Sequence, residues 1–275
     1  MPGLFQILGL LLPGSMGKPM VDRWYSYGVA QQQLGNLEEA IRAYSEALDL
    51  DPEMTKAYCN RGSVYLRLEQ IEKAVADANE AIRIRPRQSL GYNVRANAYH
   101  AMGDYDLAIG DLTRAILLCQ TGEDGSALRN QIARTLRLKP RMAGYFSDRG
   151  SAHRAAGRLN EAVSDFSQAI LLEKRFPVPY NNRADAYIAI GALDWAIKDL
   201  GEAIKLEPTF AVAYVNRATA YTMIGQPDEA RRDVDVAVRL GIEREALEEM
   251  LQGIRPYRRR SSGGGQGSRR RRRRY

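Results

Sequence analysis

The chain has 275 residues, 45% of them hydrophobic, and a formal net charge of +7. That is enough apolar material for a large core. The positive charge is local, because residues 255–275 hold ten arginines and no acid, and without those ten the +7 becomes −3 for residues 1–254. A basic body is thereby excluded, and with only Cys59 and Cys119 so are a disulfide framework and a CxxC-type metal site.

Residues 1–20 form an N-terminal extension. Its apolar run, Leu4 to Leu12, ends at Pro13 and Gly14 and is about half the roughly 20 residues a membrane span requires. With Ser15-Met16-Gly17 as a small-x-small site, the run has the outline of a secretory signal, but no Lys or Arg precedes it. The expectation is a cytoplasmic protein, or an exported, periplasmic one if residues 1–17 act as a signal peptide. The plainer alternative is an extension packed over the first hairpin, or a misplaced start.

From Val21 a ruler of 34 positions fits the chain. In its first copy Trp24 is fourth, Gly28 eighth, Gln31 eleventh, Ala40 twentieth, Tyr44 twenty-fourth, Ala47 twenty-seventh and Pro52 thirty-second. The second copy carries Tyr58, Gly62, Tyr65, Ala74, Ala78, Ala81 and Pro86, and the third Tyr92, Ala96, Tyr99, Ala108, Leu112 and Ala115. After a slip of 20 residues the pattern resumes with Phe146, Gly150, His153, Ala162, Phe166 and Ala169. It continues with Tyr180, Ala184, Tyr187, Ala196, Leu200, Ala203 and Pro208, then Tyr214, Ala218, Tyr221, Ala230, Val234 and Ala237.

Positions 4 and 11 are seven apart and share one helix face, with the small residue at 8 between them. That residue and the alanine at 20 allow two helices to approach closely, and the proline near 32 ends the second one. A single hairpin cannot bury both faces, so copies must stack. The first copy predicts a helix over about 22–34 ended by Gly35, then Asn36 as an N-cap with Glu39 completing a capping box.

The pattern resembles the tetratricopeptide repeat. The resemblance covers residues 21–242 except the insertion and implies an all-α fold: a right-handed superhelical solenoid of six helix-turn-helix repeats with a concave inner surface. Repeats 1–3 take residues 21–122 and repeats 4–6 residues 143–242. Between them lies an inserted segment, 123–142, read as a short helix from Ser126 through Leu138 with Pro140 stopping it. Residues 243–253 read as a capping helix and 254–275 as a disordered Arg-rich tail on a Gly/Ser linker.

Position 7 is arginine in copies two to six (Arg61, Arg95, Arg149, Arg183, Arg217) and position 23 is aspartate in the same five (Asp77, Asp111, Asp165, Asp199, Asp233). The first copy lacks both, with Tyr27 and Ala43. Joint presence and joint absence predict that these residues meet and set helix register. They are read as structural, not as a nucleic-acid stripe.

The resemblance places positions 2, 5, 6, 9, 12 and 13 on the concave face. There the chain carries Asn60, Asn93, Asn97, Asn181, Asn182 and Asn216, amides suited to an extended peptide backbone. One subclass of the family grips a C-terminal carboxylate with lysine, asparagine and arginine at these positions. This chain has Tyr25, Val29, Leu90 and Val94 at four of them, so that clamp is not expected. His100 and His153 lie in separate copies, and no phosphate loop or metal-ligand cluster is present. The expectation is no catalysis, no cofactor, no metal and no small-molecule substrate.

The sequence thus predicts a non-catalytic adaptor that binds a protein partner through the groove. The alternative is a polyanion-associated protein, held to nucleic acid or an anionic membrane, without sequence preference, by Arg258, Arg259, Arg260, Arg269, Arg270, Arg271, Arg272, Arg273 and Arg274.

Overall fold

The computed structural model describes residues 17–121 and 131–254. The signal-like run, Ser126 and the arginine tail lie outside the described residues. Thirteen helices are present among those described: α1 Gly17–Leu34, α2 Leu37–Leu50, α3 Thr55–Arg67, α4 Ile71–Ile84, α5 Ser89–Met102, α6 Tyr105–Thr121, α7 Gln131–Ala155, α8 Leu159–Leu172, α9 Pro177–Ala189, α10 Leu193–Leu206, α11 Ala211–Ile224, α12 Pro227–Arg239 and α13 Arg244–Gln252. No strand occurs among the described residues, and none of their helices is long and apolar enough to cross a membrane.

Each helix packs on the one before and the one after it. The odd-numbered helices also touch their counterparts in the next repeat, from α1 on α3 to α11 on α13, whereas no even-numbered helix touches the next even-numbered one. One layer is crowded and the other splayed, so the stack curves, with the odd helices on its inner side.

Within a hairpin the fit is one of complementary sizes. All six alanines at position 20 are buried, as are all six at position 27. Position 8 faces position 24: a Cβ on Gly28 would lie 2.7 Å from the Tyr44 ring, and one on Gly150 2.8 Å from the Phe166 ring. Where position 8 is alanine (Ala96, Ala184, Ala218), position 24 is smaller than an aromatic (Leu112, Leu200, Val234). In the second repeat the space above Gly62 is taken from the next repeat, with Val94 Cγ1 3.0 Å from the position of a Cβ.

The turn between helices is made alike six times. Position 15 has positive φ in every repeat, at Gly35, Glu69, Gly103, Gly157, Gly191 and Gly225. The next N–H then bonds back to the carbonyl of position 11, as from Asn36 to Gln31 at 2.9 Å and from Arg158 to His153 at 2.8 Å. Glu69, at φ 57°, is the one non-glycine among the six. Asn36 does not cap α2 through its side chain; its Nδ2 donates to Gln31 Oε1 at 2.7 Å, back across the turn. Glu39, expected in a capping box, accepts from Arg42.

Proline 140 does not stop a helix, contrary to the local expectation. It lies inside α7, whose 25 residues join the end of the insertion to the first helix of repeat 4. A proline gives up one N–H and favours the start of a helix. Here it stands just ahead of Ala143, Tyr145 and Phe146, which are buried and hold the helix downstream of it.

The arginine and aspartate of each copy meet within the same hairpin as two-pronged pairs. Arg183 Nε reaches Asp199 Oδ2 at 2.7 Å and its Nη2 reaches Oδ1 at 2.8 Å, and the other four match. The guanidinium lies between the aromatics of positions 4 and 11, 5.9 Å from the Tyr180 ring and 5.8 Å from that of Tyr187. Its third nitrogen crosses to position 25 of the preceding repeat: Arg61 to Ser45, Arg95 to Asn79, Arg149 to Thr113 and Arg183 to Ser167, at 2.8–3.0 Å. For Arg217 that position is Gly201, which offers no acceptor. The bond from Arg149 to Thr113 spans the 20-residue slip, so repeat 4 stacks on repeat 3 as the others stack on their neighbours.

His153 holds the place of a tyrosine in repeat 4. Its Nε2 is 3.8 Å from Asp165 Oδ2, and its buried Nδ1 has no hydrogen-bond partner among the described residues. Burial pushes its pKa below 6.5; Arg149 and Arg158 add to this, and Asp165 opposes it. The unfolded chain therefore takes up a proton near pH 6.5 that the folded chain refuses. Stability is full above that pH and falls below it. His153→Tyr is expected to lose less melting temperature than the parent between pH 7.5 and about pH 5; equal losses would remove this account.

Candidate functional site

The candidate asparagines all sit on the inner helices: Asn60 on α3, Asn93 and Asn97 on α5, Asn181 and Asn182 on α9, Asn216 on α11. Four of them form the rungs of a ladder at three of the five joints between repeats. At these joints position 6 of one repeat meets position 5 of the repeat before it. Asn60 Nδ2 donates to the Tyr25 hydroxyl at 3.1 Å, Asn93 Nδ2 to Asp148 Oδ2 at 3.0 Å, and Asn216 Nδ2 to Asn181 Oδ1 at 2.9 Å.

The ladder changes which amides a ligand can reach. Asn181 is 6% exposed, and its own Nδ2 is spent on Asn182 Oδ1 at 3.2 Å. Asn97, half-buried, makes no side-chain hydrogen bond among the described residues. Asn182 accepts one bond through its oxygen, and no other bond to its side chain is made among the described residues. The hydroxyls at position 9 are turned inward: Ser63, Ser151 and Thr219 each bond the carbonyl four residues back.

In the first repeat two aromatic rings meet beside Asn60. The Tyr44 hydroxyl donates to Gln32 Oε1 at 2.7 Å, and the Tyr25 and Tyr44 rings lie 5.9 Å apart. Burial pushes the Tyr44 pKa up to about 12 and that of the neighbouring Cys59 thiol also to about 12, so both stay protonated at neutral pH. A thiol held in that form is a poor nucleophile.

Charge on the inner face is sparse. Arg154 on α7 pairs with Asp185 on α9 at 2.6 Å, across the joint of repeats 4 and 5. Asp148 makes no ion pair among the described residues, and its one hydrogen bond comes from Asn93. Burial pushes its carboxyl above the ordinary value, against the pull of that bond and of the His100 ring. His100 and His153 stay in separate repeats, and no group of three or more His, Cys, Asp or Glu that could hold a metal ion forms among the described residues.

A TPR repeat model matches residues 28–69, and tetratricopeptide repeat models match residues 55–88, 91–121, 179–210 and 200–232. The chain belongs to the tetratricopeptide repeat family. The matched spans leave out residues 122–178, yet there the hairpin of α7 and α8 carries the same arginine-aspartate pair as the other tetratricopeptide repeats.

Among solved structures, the chain is similar to one from the APC/C hetero-tetramer Cut9-Hcn1, at 17% identity and TM-score 0.69, over 86% of this chain. It spans only 45% of that longer chain. PilF of Pseudomonas aeruginosa matches at 16% identity and TM-score 0.68, over 86% of this chain and 99% of its own. YrrB, a tetratricopeptide protein described as having an unusual peptide-binding site, matches at 16% and 0.52, over 76% and 98%. At these identities the likeness is one of fold. No curated protein sequence matches. The repeats and the helical solenoid support a protein-interaction scaffold, and this family and fold are typically non-catalytic.

Proposed function

We propose that the protein is a non-catalytic adaptor whose concave groove binds an extended segment of a partner protein. The observation that carries this reading is the inner layer itself, where amides from successive repeats stand one repeat apart with donors and acceptors left over. An extended backbone offers N–H and C=O groups alternately, and an amide that can do both serves either. Asn97 and Asn182 are the amides with most capacity to spare; Asn60 and Asn216 hold the rim of the ladder. A peptide-binding site in a protein of similar fold, YrrB, is consistent with this use. A cytoplasmic location belongs to the same proposal.

The test is direct. Replacing both Asn182 and Asn216 with glutamate is expected to weaken partner binding about tenfold or more, because two acids intrude where a backbone would lie. Binding measured for that variant at the parent's affinity, with the helical signal intact, would remove the groove.

The second reading assigns partner choice to polyanions through the arginines of residues 255–275. It predicts that a chain ending at Ile254 loses its ligand, and that salt does the same to the full chain. The groove reading predicts survival of both.

A further inference from the structure

Asp148 stands at a rung of the ladder where the fold needs only an acceptor. The matching rungs show this: Asn216 in repeat 6 fills position 6 as a neutral amide and bonds across its joint at 2.9 Å, much as Asp148 bonds to Asn93 at 3.0 Å. An asparagine at 148 could accept the same bond through its oxygen and would bury no charge. A charge taken out of water without a cation is costly. The five aspartates at position 23 avoid that cost by pairing with arginine inside their hairpins, and Asp185 avoids it with Arg154. Among the described residues, the one polar contact of the Asp148 carboxylate is a neutral amide, so the charge is surplus to the fold.

We propose that Asp148 is the point at which the groove reads a basic side chain, lysine or arginine, in the extended segment of a partner protein. The inference rests on the groove reading above and adds a chemical identity to its ligand. A guanidinium or ammonium arriving there supplies the missing cation. Asn97, four residues from Asn93 on α5, adds an amide with free capacity on the same face of that helix. His100, the next turn along that helix from Asn97, is the other titratable group whose charge bears on Asp148. The joints on either side offer no second unpaired carboxylate among the described residues: Val94 is buried at one, and Asp185 is already held by Arg154 at the other. One basic side chain is therefore selected, not a run of them.

The experiment uses the full chain and its Asp148→Asn variant on arrays of ten-residue peptides, randomised except for one central residue fixed as Arg, Lys, citrulline or Glu. The parent is expected to retain the Arg and Lys arrays about tenfold better than citrulline, the size of one charge-assisted hydrogen bond. Asp148→Asn keeps the acceptor for Asn93 and is expected to fold at least as stably, while losing that preference. A preference that persists in the variant overturns the proposal. If every array binds the parent equally and the Asn182→Glu, Asn216→Glu double variant abolishes that binding, the groove stands and the role of Asp148 falls. If no array is retained above background, both fall. The same ranking is expected from a chain ending at Ile254. A ranking that appears only after this truncation would mean that the chain's own arginines occupy the place, and would overturn the assignment to a partner.

Discussion

Asp199→Ala is expected to destabilise the protein by about 3–5 kcal/mol, the cost of leaving a largely buried cation without its partner. Asp199 is 5% exposed, and the Arg183 guanidinium it forks sits between two aromatic rings with its third nitrogen on Ser167. Removing the carboxylate leaves Nε and Nη2 facing a void lined by helices α9 and α10. The loss should be read by urea unfolding together with hydrogen exchange, which places it in the fifth repeat and its neighbours. The double variant Arg183→Met, Asp199→Leu is expected to recover most of it, because an apolar pair of similar volume costs no desolvation. A loss below about 1 kcal/mol for the single variant would show that the pair is solvated and does not lock the hairpin.

Gly150→Ala comes next in size, with an expected cost of about 1–3 kcal/mol. The new methyl would lie 2.8 Å from Cε1 of Phe166, a ring with no exposed surface and no room to retreat. The chain itself supplies the remedy. Repeats 3 and 5 combine alanine at the same position with Leu112 and Leu200, so Phe166→Leu placed in the Gly150→Ala background should restore stability. Phe166→Leu alone is expected to cost on the order of 1 kcal/mol for the space it opens. The two losses therefore fail to add, which thermal unfolding of the four proteins would show. Additive losses would mean that the contact between positions 8 and 24 does not govern how closely the helices approach.

The pairing of position 7 with position 23 was legible because the two residues appear together in five copies and vanish together in the first. A charge that must be partnered leaves that signature. The third tie of the arginine left none. Ser45, Asn79, Thr113 and Ser167 are of three residue types and share only an oxygen that accepts, so no single residue type marks position 25. Local rules misled at two points. Asn36 takes the N-cap place ahead of α2 as expected, but its side chain bonds Gln31 across the turn and not the helix. Pro140 carries a strong signal for a helix end, but the buried residues downstream of it hold the helix. Glu69 shows the same from the other side: five repeats buy their turn with glycine, and the second makes it with a residue that disfavours positive φ.

The asparagines of the inner face were visible as a composition, not as a ladder. Spacing places Asn216 one repeat and one residue beyond Asn181. It does not reveal that the second is buried to serve the first, or that a carboxylate stands in at Asp148. Those facts arise from helix against helix, where the curvature of the stack brings position 6 over position 5.

The arginine and aspartate of each pair lie 16 residues apart inside one 34-residue copy. What passes between copies at these arginines is a single bond to an acceptor that can be serine, asparagine or threonine, and that is missing at Gly201. A chain built this way can gain or lose a whole copy by duplication or excision without ever stranding a buried charge. The gene can lengthen or shorten its product in units, and the 20 residues inserted ahead of repeat 4 were tolerated on the same ground.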